Sequence, residues 1–199
     1  MMRIITGTAR GTKLFSLEGE ATRPTSERVK EAVFSALAFE IPGRQVLDLF
    51  SGSGQLALEA LSRGAEHATM VDSSAAAVDI IRKNVNKTHM ENKATILRED
   101  CLTFLKKTSG RQYDLIFVDP PYALHAVPEI LKNILARGVA APNAIFICES
   151  EENDIFEKDA DLRTHFSVRR TQRYAKAVVT ILEFASDEEV EVSWNKKRR

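Results

Sequence analysis

The chain has 199 residues, and its 28 lysine and arginine residues balance 28 aspartate and glutamate residues, so its formal net charge is zero. This balance excludes a wholly basic nucleic-acid coat protein, and the length predicts one domain with a small appendage. Cys101 and Cys148 form neither a CxxC pair nor a zinc-ligand spacing, and no stretch reaches the roughly 18 apolar residues of a membrane span. We therefore expect a soluble cytoplasmic protein whose chemistry requires no metal.

The first 40 residues are predicted to form a separate unit, a basic arm followed by a helix. Glycines punctuate the arm, which indicates a short strand or hairpin. Thr25 or Ser26 is predicted to cap the helix, whose apolar face includes Val29, Val33 and Leu37. At the other end of the chain, residues 187–199 are rich in charge, and we expect a frayed tail there.

Residues 41–186 are predicted to form one α/β domain, because short apolar runs alternate there with helical patterns. Five strands are predicted at 46–50, 68–72, 94–98, 113–118 and 144–148, with helices between them, and two longer strands within 166–184. The acidic run at 149–161 predicts a solvated helix face. Since the strands are apolar on both faces, we expect a mostly parallel sheet with helices on both sides.

A glycine-rich loop follows the first sheet strand and opens a helix, which allows a nucleotide-type ligand to approach the backbone. The glycine pattern alone leaves two ligand classes open. Gly52, Gly54 and Ala57 also satisfy the dinucleotide pattern GxGxxA, and Asp72 follows at the distance of a ribose-binding acid. Asp48, beside the loop, favours S-adenosylmethionine instead, because a carboxylate repels a pyrophosphate and attracts an ammonium group.

Two further acidic residues follow the second and third strands. The two oxygens of Asp72 are suited to accept hydrogen bonds from both ribose hydroxyls, and Asp100 is suited to accept one from an adenine amino group. Either residue can instead be a helix N-cap, because a helix is predicted after each of them. The two roles do not exclude each other.

An Asp-Pro-Pro-Tyr turn, residues 119–122, comes directly after the apolar fourth strand. The prolines remove backbone donors and stiffen the turn, which leaves carbonyl oxygens and the Asp119 carboxylate as a rigid set of acceptors. Hydrogen bonds to Asp119 and to the Pro120 carbonyl would localise the lone pair of a nucleobase amine. Tyr122 is predicted to stack on that base. The turn therefore predicts an acceptor pocket for an exocyclic NH2 group.

These motifs resemble the RsmD family of 16S ribosomal RNA guanine-N2 methyltransferases, within the class I S-adenosylmethionine-dependent methyltransferases. The likeness covers nearly the whole chain and includes Thr-Arg-Pro-Thr ahead of the glycine loop, which is more restrictive than the Asp-Pro-Pro-Tyr turn. The matching segments are 3–7 with Gly11 and Leu14, then 22–25, 28–34, 46–54, 59–65 and 119–122.

The resemblance implies a Rossmann-like, seven-stranded sheet with one antiparallel strand, and a guanine of 16S rRNA in the small ribosomal subunit as substrate. It places catalysis at Asp119, Pro120 and Tyr122. The predicted cofactor contacts are Asp48, Phe50, Gly52, Gly54, Asp72, Asp100 and Cys101. We expect Arg10, Lys13, Arg23 and Arg28 of the basic arm and helix to contact RNA phosphates. The protein is expected to be a monomer.

Two positions depart from the family pattern. The last hairpin reads Tyr174-Ala175-Lys176 where the family often has glycine after the tyrosine, and the acid after the second strand is Asp72 rather than Glu. Three rival functions stay open. A DNA amino-methyltransferase shares the chemistry but usually needs a large target-reading domain, a NAD-dependent oxidoreductase is disfavoured by Asp48, and a catalytically silent RNA-binding module does not need the intact turn.

Overall fold

A computed structural model describes residues 2–17, 24–108, 110, 112–121 and 125–186, with residues 24–26 described in their main chain alone. Its strands are β1 Gln45–Asp48, β2 His67–Asp72, β3 Ala94–Arg98, β4 Tyr113–Val118, β5 Ala140–Ser150, β6 Phe166–Tyr174 and β7 Ala177–Phe184. Its α-helices are α1 Pro24–Ala36, α2 Gln55–Ser62, α3 Ala75–Thr88, α4 Cys101–Lys107, α5 Val127–Arg137 and α6 Ala160–Arg163, and Glu91–Lys93 forms a short 3-10 helix.

The seven strands form one sheet in the order β3-β2-β1-β4-β5-β7-β6. Strands β1 to β5 pair in parallel, and β7 pairs antiparallel with both β5 and β6. The predicted Rossmann-like fold with a mostly parallel sheet is confirmed. Strands β2 and β3 follow one another outward on one side of β1, whereas the chain then returns to place β4 on the other side of β1. The strand order therefore reverses between β1 and β4.

Strands β1, β2, β4, β5 and β7 are largely buried, as their apolar sequences predict, whereas the edge strand β6 is mostly exposed. Along β4, Leu115 and Phe117 point into a core shared with α1, α2 and α3, whereas Ile116 and Val118 point into a second core shared with α4 and α5. This alternation follows from the two-residue period of a strand. Among the described residues, no helix is long and apolar enough to cross a bilayer.

Strands β3 and β4 have the predicted bounds, but three other predictions were wrong in detail. The acidic run forms no solvated helix over 149–161: bends and turns bury Ile155 and Phe156 in the second core, and only the short helix α6 follows. Helix α1 begins at Pro24, so Thr25 and Ser26 lie inside it rather than before it. Strand β5 is longer than predicted because its ends extend alongside β4 and β7.

The N-terminal arm is a hairpin, as predicted, with an antiparallel bridge between Arg3 and Lys13. Its main chain docks on α2: the N–H groups of Ile5 and Thr6 donate to the Glu59 carboxylate at 2.8 and 3.1 Å. At the hairpin turn, Gly7 has φ +88°, and a Cβ atom there would lie 1.7 Å from the Ser62 carbonyl oxygen. The arm therefore depends on glycine at this position.

Candidate active site

The site residues predicted from the sequence lie at the carboxyl ends of four neighbouring strands. Asp48 ends β1, Asp72 ends β2, Asp100 follows β3 by two residues, and Asp119 directly follows β4. Because β1 to β4 are parallel, these ends lie on one edge of the sheet. Ligands of open α/β sheets bind at this edge, where the strand order reverses, and here the reversal lies between β1 and β4.

The glycine loop after β1 makes the tight turn that its composition predicts. Gly52 and Gly54 have φ values of +53° and +78°, and the Gly54 N–H donates to the Ser51 carbonyl at 2.6 Å. A Cβ on Gly54 would lie 3.2 Å from the Met70 sulfur. The glycines therefore set the path of the loop and its close packing on β2, while Phe50 before them is half-buried.

Asp48 lies beneath this loop with 1% of its surface exposed. In the described part of the protein, neither carboxylate oxygen has a hydrogen-bond partner of normal geometry. Burial raises the pKa of Asp48 to about 7, and the N–H groups of Phe50 and Ala57, which lie close without forming such bonds, offset only part of the effect. A buried carboxylate of this kind is costly, and a cationic ligand group would compensate it.

Asp72 binds the loop and the start of the next helix together. Its Oδ2 accepts from the Gly52 N–H at 2.8 Å, and its Oδ1 accepts from the Ser74 N–H at the same distance. The cap of α3 is Ser74, whose hydroxyl accepts from the Ala77 N–H, so Asp72 is not the N-cap. Each oxygen of Asp72 keeps a lone pair, which leaves capacity for a ligand hydroxyl.

Asp100 is the N-cap of α4, with the Thr103 N–H donating to its Oδ1 at 2.9 Å. Its side chain is exposed at the rim of the edge. Cys101 behind it is buried, and burial raises the pKa of its thiol to about 12. The thiol therefore stays protonated and is not a nucleophile.

The turn after β4 places the acceptor groups beside the glycine loop. Phe117 of β4 is the register partner of Asp48, so Asp119 lies two residues beyond that level on the adjacent strand. Asp119 is half-buried, Pro120 is buried and Pro121 is exposed. Tyr122 lies outside the described residues.

Three of the four predicted RNA-contacting residues are described, and all three are exposed: Arg10 and Lys13 on the hairpin, and Arg28 on α1. Arg23 lies outside the described residues. No group of three or more His, Cys, Asp and Glu side chains with metal-binding geometry occurs within the described ranges.

Asn84, a residue that the sequence analysis missed, joins the arm to the glycine loop. From α3, its fully buried side chain accepts from the Phe15 N–H at 2.7 Å and donates to the Phe15 and Ser53 carbonyls at 2.9 and 2.8 Å. The Ser53 hydroxyl also contacts the Met2 sulfur at 3.0 Å. The partners lie far apart in the chain, so no local pattern predicts the contact.

A second missed cluster is a buried group of charges around Glu59. The Glu59 carboxylate lies 3.6 Å from Lys30 Nζ and 2.8 Å from Arg63 Nε, and Lys30 Nζ also donates to the Arg3 carbonyl at 2.6 Å. Burial lowers the pKa of Lys30, and Glu59 opposes this effect. The cluster fastens the arm and α1 to α2, which is the helix that the glycine loop opens.

Comparison with known proteins decides the family. Residues 2–183 match the model of the family described as Conserved hypothetical protein 95. The chain belongs to this family. It is 36% identical over 165 residues to Ribosomal RNA small subunit methyltransferase D of Escherichia coli, covering 82% of each chain, and 33% identical over 154 residues to the protein of that name from Haemophilus influenzae, covering 76% of this chain and 80% of the relative.

The solved structure of "Putative methyltransferase yhhF from Escherichia coli" has a TM-score of 0.80 at 31% identity, and covers 93% of this chain and 98% of that one. The family membership and this structural likeness confirm the predicted RsmD resemblance and the class I methyltransferase fold. They also confirm the predicted enzyme class, a methyltransferase that uses S-adenosylmethionine.

Proposed function

We propose that the protein transfers the methyl group of S-adenosylmethionine to the exocyclic N2 amine of a guanine in 16S rRNA. The observation that supports this most directly is the strand-order reversal between β1 and β4. The glycine loop and Asp48 follow β1, and Asp119 and Pro120 follow β4, so the two groups lie on opposite sides of this reversal. This arrangement supports the proposal that one ligand would lie over β1 to β3 while a second approaches it from β4.

The residues around the glycine loop fit S-adenosylmethionine better than a dinucleotide. The buried Asp48 carboxylate lacks a hydrogen-bond partner of normal geometry among the described residues, which suits an ammonium group and disfavours a pyrophosphate. Asp72 would accept from the ribose hydroxyls, Asp100 from the adenine amine, and Phe50, Gly52, Gly54 and Cys101 would form the walls.

On the acceptor side, Asp119 and the Pro120 carbonyl would accept the two N–H hydrogens of the guanine amine. This orients the nitrogen lone pair toward the methyl carbon. A C–N bond would form while the C–S bond breaks, with its electron pair staying on sulfur, and the nitrogen would then release one proton to water. When bound, the sulfonium cofactor supplies the activated methyl group. Tyr122 would stack on the flipped base.

The basic arm and helix, residues 1–40, are proposed to contact RNA through Arg10, Lys13, Arg23 and Arg28. The relatives named Ribosomal RNA small subunit methyltransferase D support ribosomal RNA as the substrate. We further propose that this monomeric, cytoplasmic enzyme acts on the RNA within the small subunit. Residues 41–186 would then form the catalytic domain, and residues 187–199 a charged tail.

The proposal is tested by transfer of labelled methyl to three substrates compared side by side: small subunits that lack the modification, naked 16S RNA, and duplex DNA. We expect label on guanine N2 in the RNA substrates, with preference for the particle if shape is read. Label in DNA alone would identify a DNA amino-methyltransferase instead. Absence of label from all three, with cofactor binding intact, would reject the proposed substrate.

A further inference from the structure

A cleft outside the proposed active site lies between α1 and the edge strand β6. Its open part has a volume of about 460 Å³ and is lined by Arg28, Glu31 and Ala32 of α1 and by Arg170, Gln172 and Tyr174 of β6. On each element the lining residues share one face, because 28, 31 and 32 follow helical spacing and 170, 172 and 174 alternate along the strand. The volume is suited to one nucleotide.

The cleft combines an apolar floor with a polar rim. The floor is formed where the cleft meets a smaller cavity, which shares Ala32, Arg170, Gln172 and Tyr174 with it and is also lined by the buried Val33, Val179 and Ile181. Tyr174 is half-buried at one end of the cleft, with its ring packed against the first core. Such a floor accepts the face of a base, and an aromatic ring can stack on any base. Glu31 and Gln172 offer hydrogen-bonding groups that are suited to base edges.

Arg28 and Arg170 of this cleft have no ion-pair partner in the described part of the chain, unlike Arg169, the sequence neighbour of Arg170. Arg169 is paired with Glu40 and Glu183. By contrast, no ion pair among the described residues involves Arg28 or Arg170, and the only hydrogen bond that the Arg170 guanidinium makes to these residues is to the neutral Gln172 side chain. The Glu31 carboxylate also lines the cleft, but the two arginines outnumber it, so the lining carries a net positive charge that suits a polyanion.

One end of the cleft, at Tyr174, lies at the edge of the sheet that holds Asp119. In the sheet register, Cys148 of β5 lies beside Val118 of β4, and Ser150 at the end of β5 lies beside Val178 of β7. Tyr174 pairs with Ala177 across the hairpin turn, so it lies at this same edge. A strand of RNA whose target guanine reaches Asp119 can thus continue into the cleft.

We propose that this cleft binds a nucleotide flanking the target guanine, with Arg28 and Arg170 on its phosphates and Tyr174 stacked on its base. The inference rests on the proposed function in one respect, that the substrate is RNA. It extends the RNA surface from the N-terminal unit to the β6–β7 hairpin. The flanking segment must be single-stranded, because a paired base does not expose its face to Tyr174.

The phosphate contacts are tested with Arg28→Ala, Arg170→Ala and the double variant, by fluorescence anisotropy of a labelled single-stranded RNA oligonucleotide at several salt concentrations. Each lost phosphate contact is expected to reduce the slope of log K for RNA binding against log salt concentration by about 0.7, so the slope of the double variant falls by about 1.4. Arg82→Ala is the matched control, because it removes one exposed arginine from α3. Slopes equal to that of the control would overturn the proposal.

The stacking contact is tested with Tyr174→Leu and Tyr174→Phe. We expect Leu to weaken RNA binding about tenfold and Phe to retain it, because Phe keeps the aromatic face. In methyl transfer to naked 16S RNA, the cleft variants should raise the KM for RNA and leave kcat and cofactor affinity near wild type. Equal RNA affinity of the Leu and Phe variants would contradict stacking. RNA binding that depends on the cleft, without methylation of guanine, would overturn the proposed function and leave the cleft assignment standing.

Discussion

The carboxylate of Asp72 accepts a hydrogen bond from the main-chain N–H of Gly52 at 2.8 Å, across twenty residues of sequence. The same side chain accepts from the Ser74 N–H, so one residue sets both the glycine loop and the entry to α3. The acid that the sequence assigns to the ribose thus also holds the loop in place. Under the proposed function, Asp72 would link cofactor binding to the geometry of the loop.

Asp72→Ala should weaken S-adenosylmethionine binding about 10- to 100-fold, because it removes charge-assisted hydrogen bonds to the loop and to the ligand. Titration calorimetry measures the dissociation constant directly. Asp79→Ala on the exposed face of α3 removes the same charge and should leave the affinity unchanged. Equal affinities of the two variants would show that Asp72 does not contribute to the cofactor site.

Asp48 predicts a pH dependence of stability. Its folded pKa of about 7 exceeds the ordinary value of 3.8, so between these values the folded state holds a proton that the unfolded chain releases. The free energy of unfolding therefore falls as pH rises to about 7 and is level above it. Between pH 5 and pH 8 the contribution is roughly 3 kcal/mol.

Urea unfolding of the wild type and of Asp48→Asn at pH 5 and pH 8 measures this contribution as a difference between the two proteins. Between pH 5 and pH 8, the free energy of unfolding of the wild type should fall by roughly 3 kcal/mol more than that of the variant. S-adenosylmethionine should reduce this fall, because its ammonium group would offset the charge of the ionised carboxylate. Parallel pH profiles of the two proteins would show that Asp48 titrates normally.

Several of these features follow from local sequence and several do not. The bounds of β3 and β4 were predicted because each is a short apolar run between turn residues or helices. The mostly parallel sheet, in which the ends of these strands share one edge, followed from the alternation of strand and helix, but the order of the strands did not. The roles of Asp72 and Asp100 could not be separated, because a helix follows both and only the structure shows Ser74 capping one of them.

Contacts between distant segments escaped the sequence analysis altogether. Asn84 reaches Phe15 over 69 residues, and Lys30 meets Glu59 over 29, so neither pair leaves a local pattern. The cleft of Arg28 and Arg170 likewise requires α1 to lie against β6. The prediction of a solvated helix in the acidic run was wrong because Ile155 and Phe156, which lie within the run, are buried in the second core.

Gly7 and Gly11 provide a matched pair for testing how the arm docks. Both have positive φ, +88° and +83°, but a Cβ on Gly7 would collide with the Ser62 carbonyl whereas a Cβ on Gly11 would meet open space. Each alanine variant carries a backbone cost of about 1 kcal/mol. Gly7→Ala should cost several kcal/mol more, and hydrogen exchange should rise at the Ile5 and Thr6 amides in that variant alone. Equal stability of the two variants would show that the arm tolerates a shift away from α2.

Ala175 stands where the family often has glycine, and its backbone conformation shows why glycine suits this position. It has φ +55° in the turn between β6 and β7, a conformation that favours glycine. Ala175→Gly should therefore raise the free energy of unfolding by about 1 kcal/mol. Urea unfolding measures the change. A loss of stability would mean that the greater freedom of glycine in the unfolded chain outweighs the relief of strain.

In the proposed mechanism, the turn after β4 orients an amine for methylation without contributing to cofactor binding. Single-turnover methyl transfer to unmodified small subunits by Asp119→Ala at saturating S-adenosylmethionine, with the cofactor dissociation constant measured in parallel, separates these two roles. We predict a rate about 10²-fold or more below wild type and a dissociation constant within about twofold of it. A wild-type rate, or a rate loss that only follows a loss of cofactor affinity, would contradict the account.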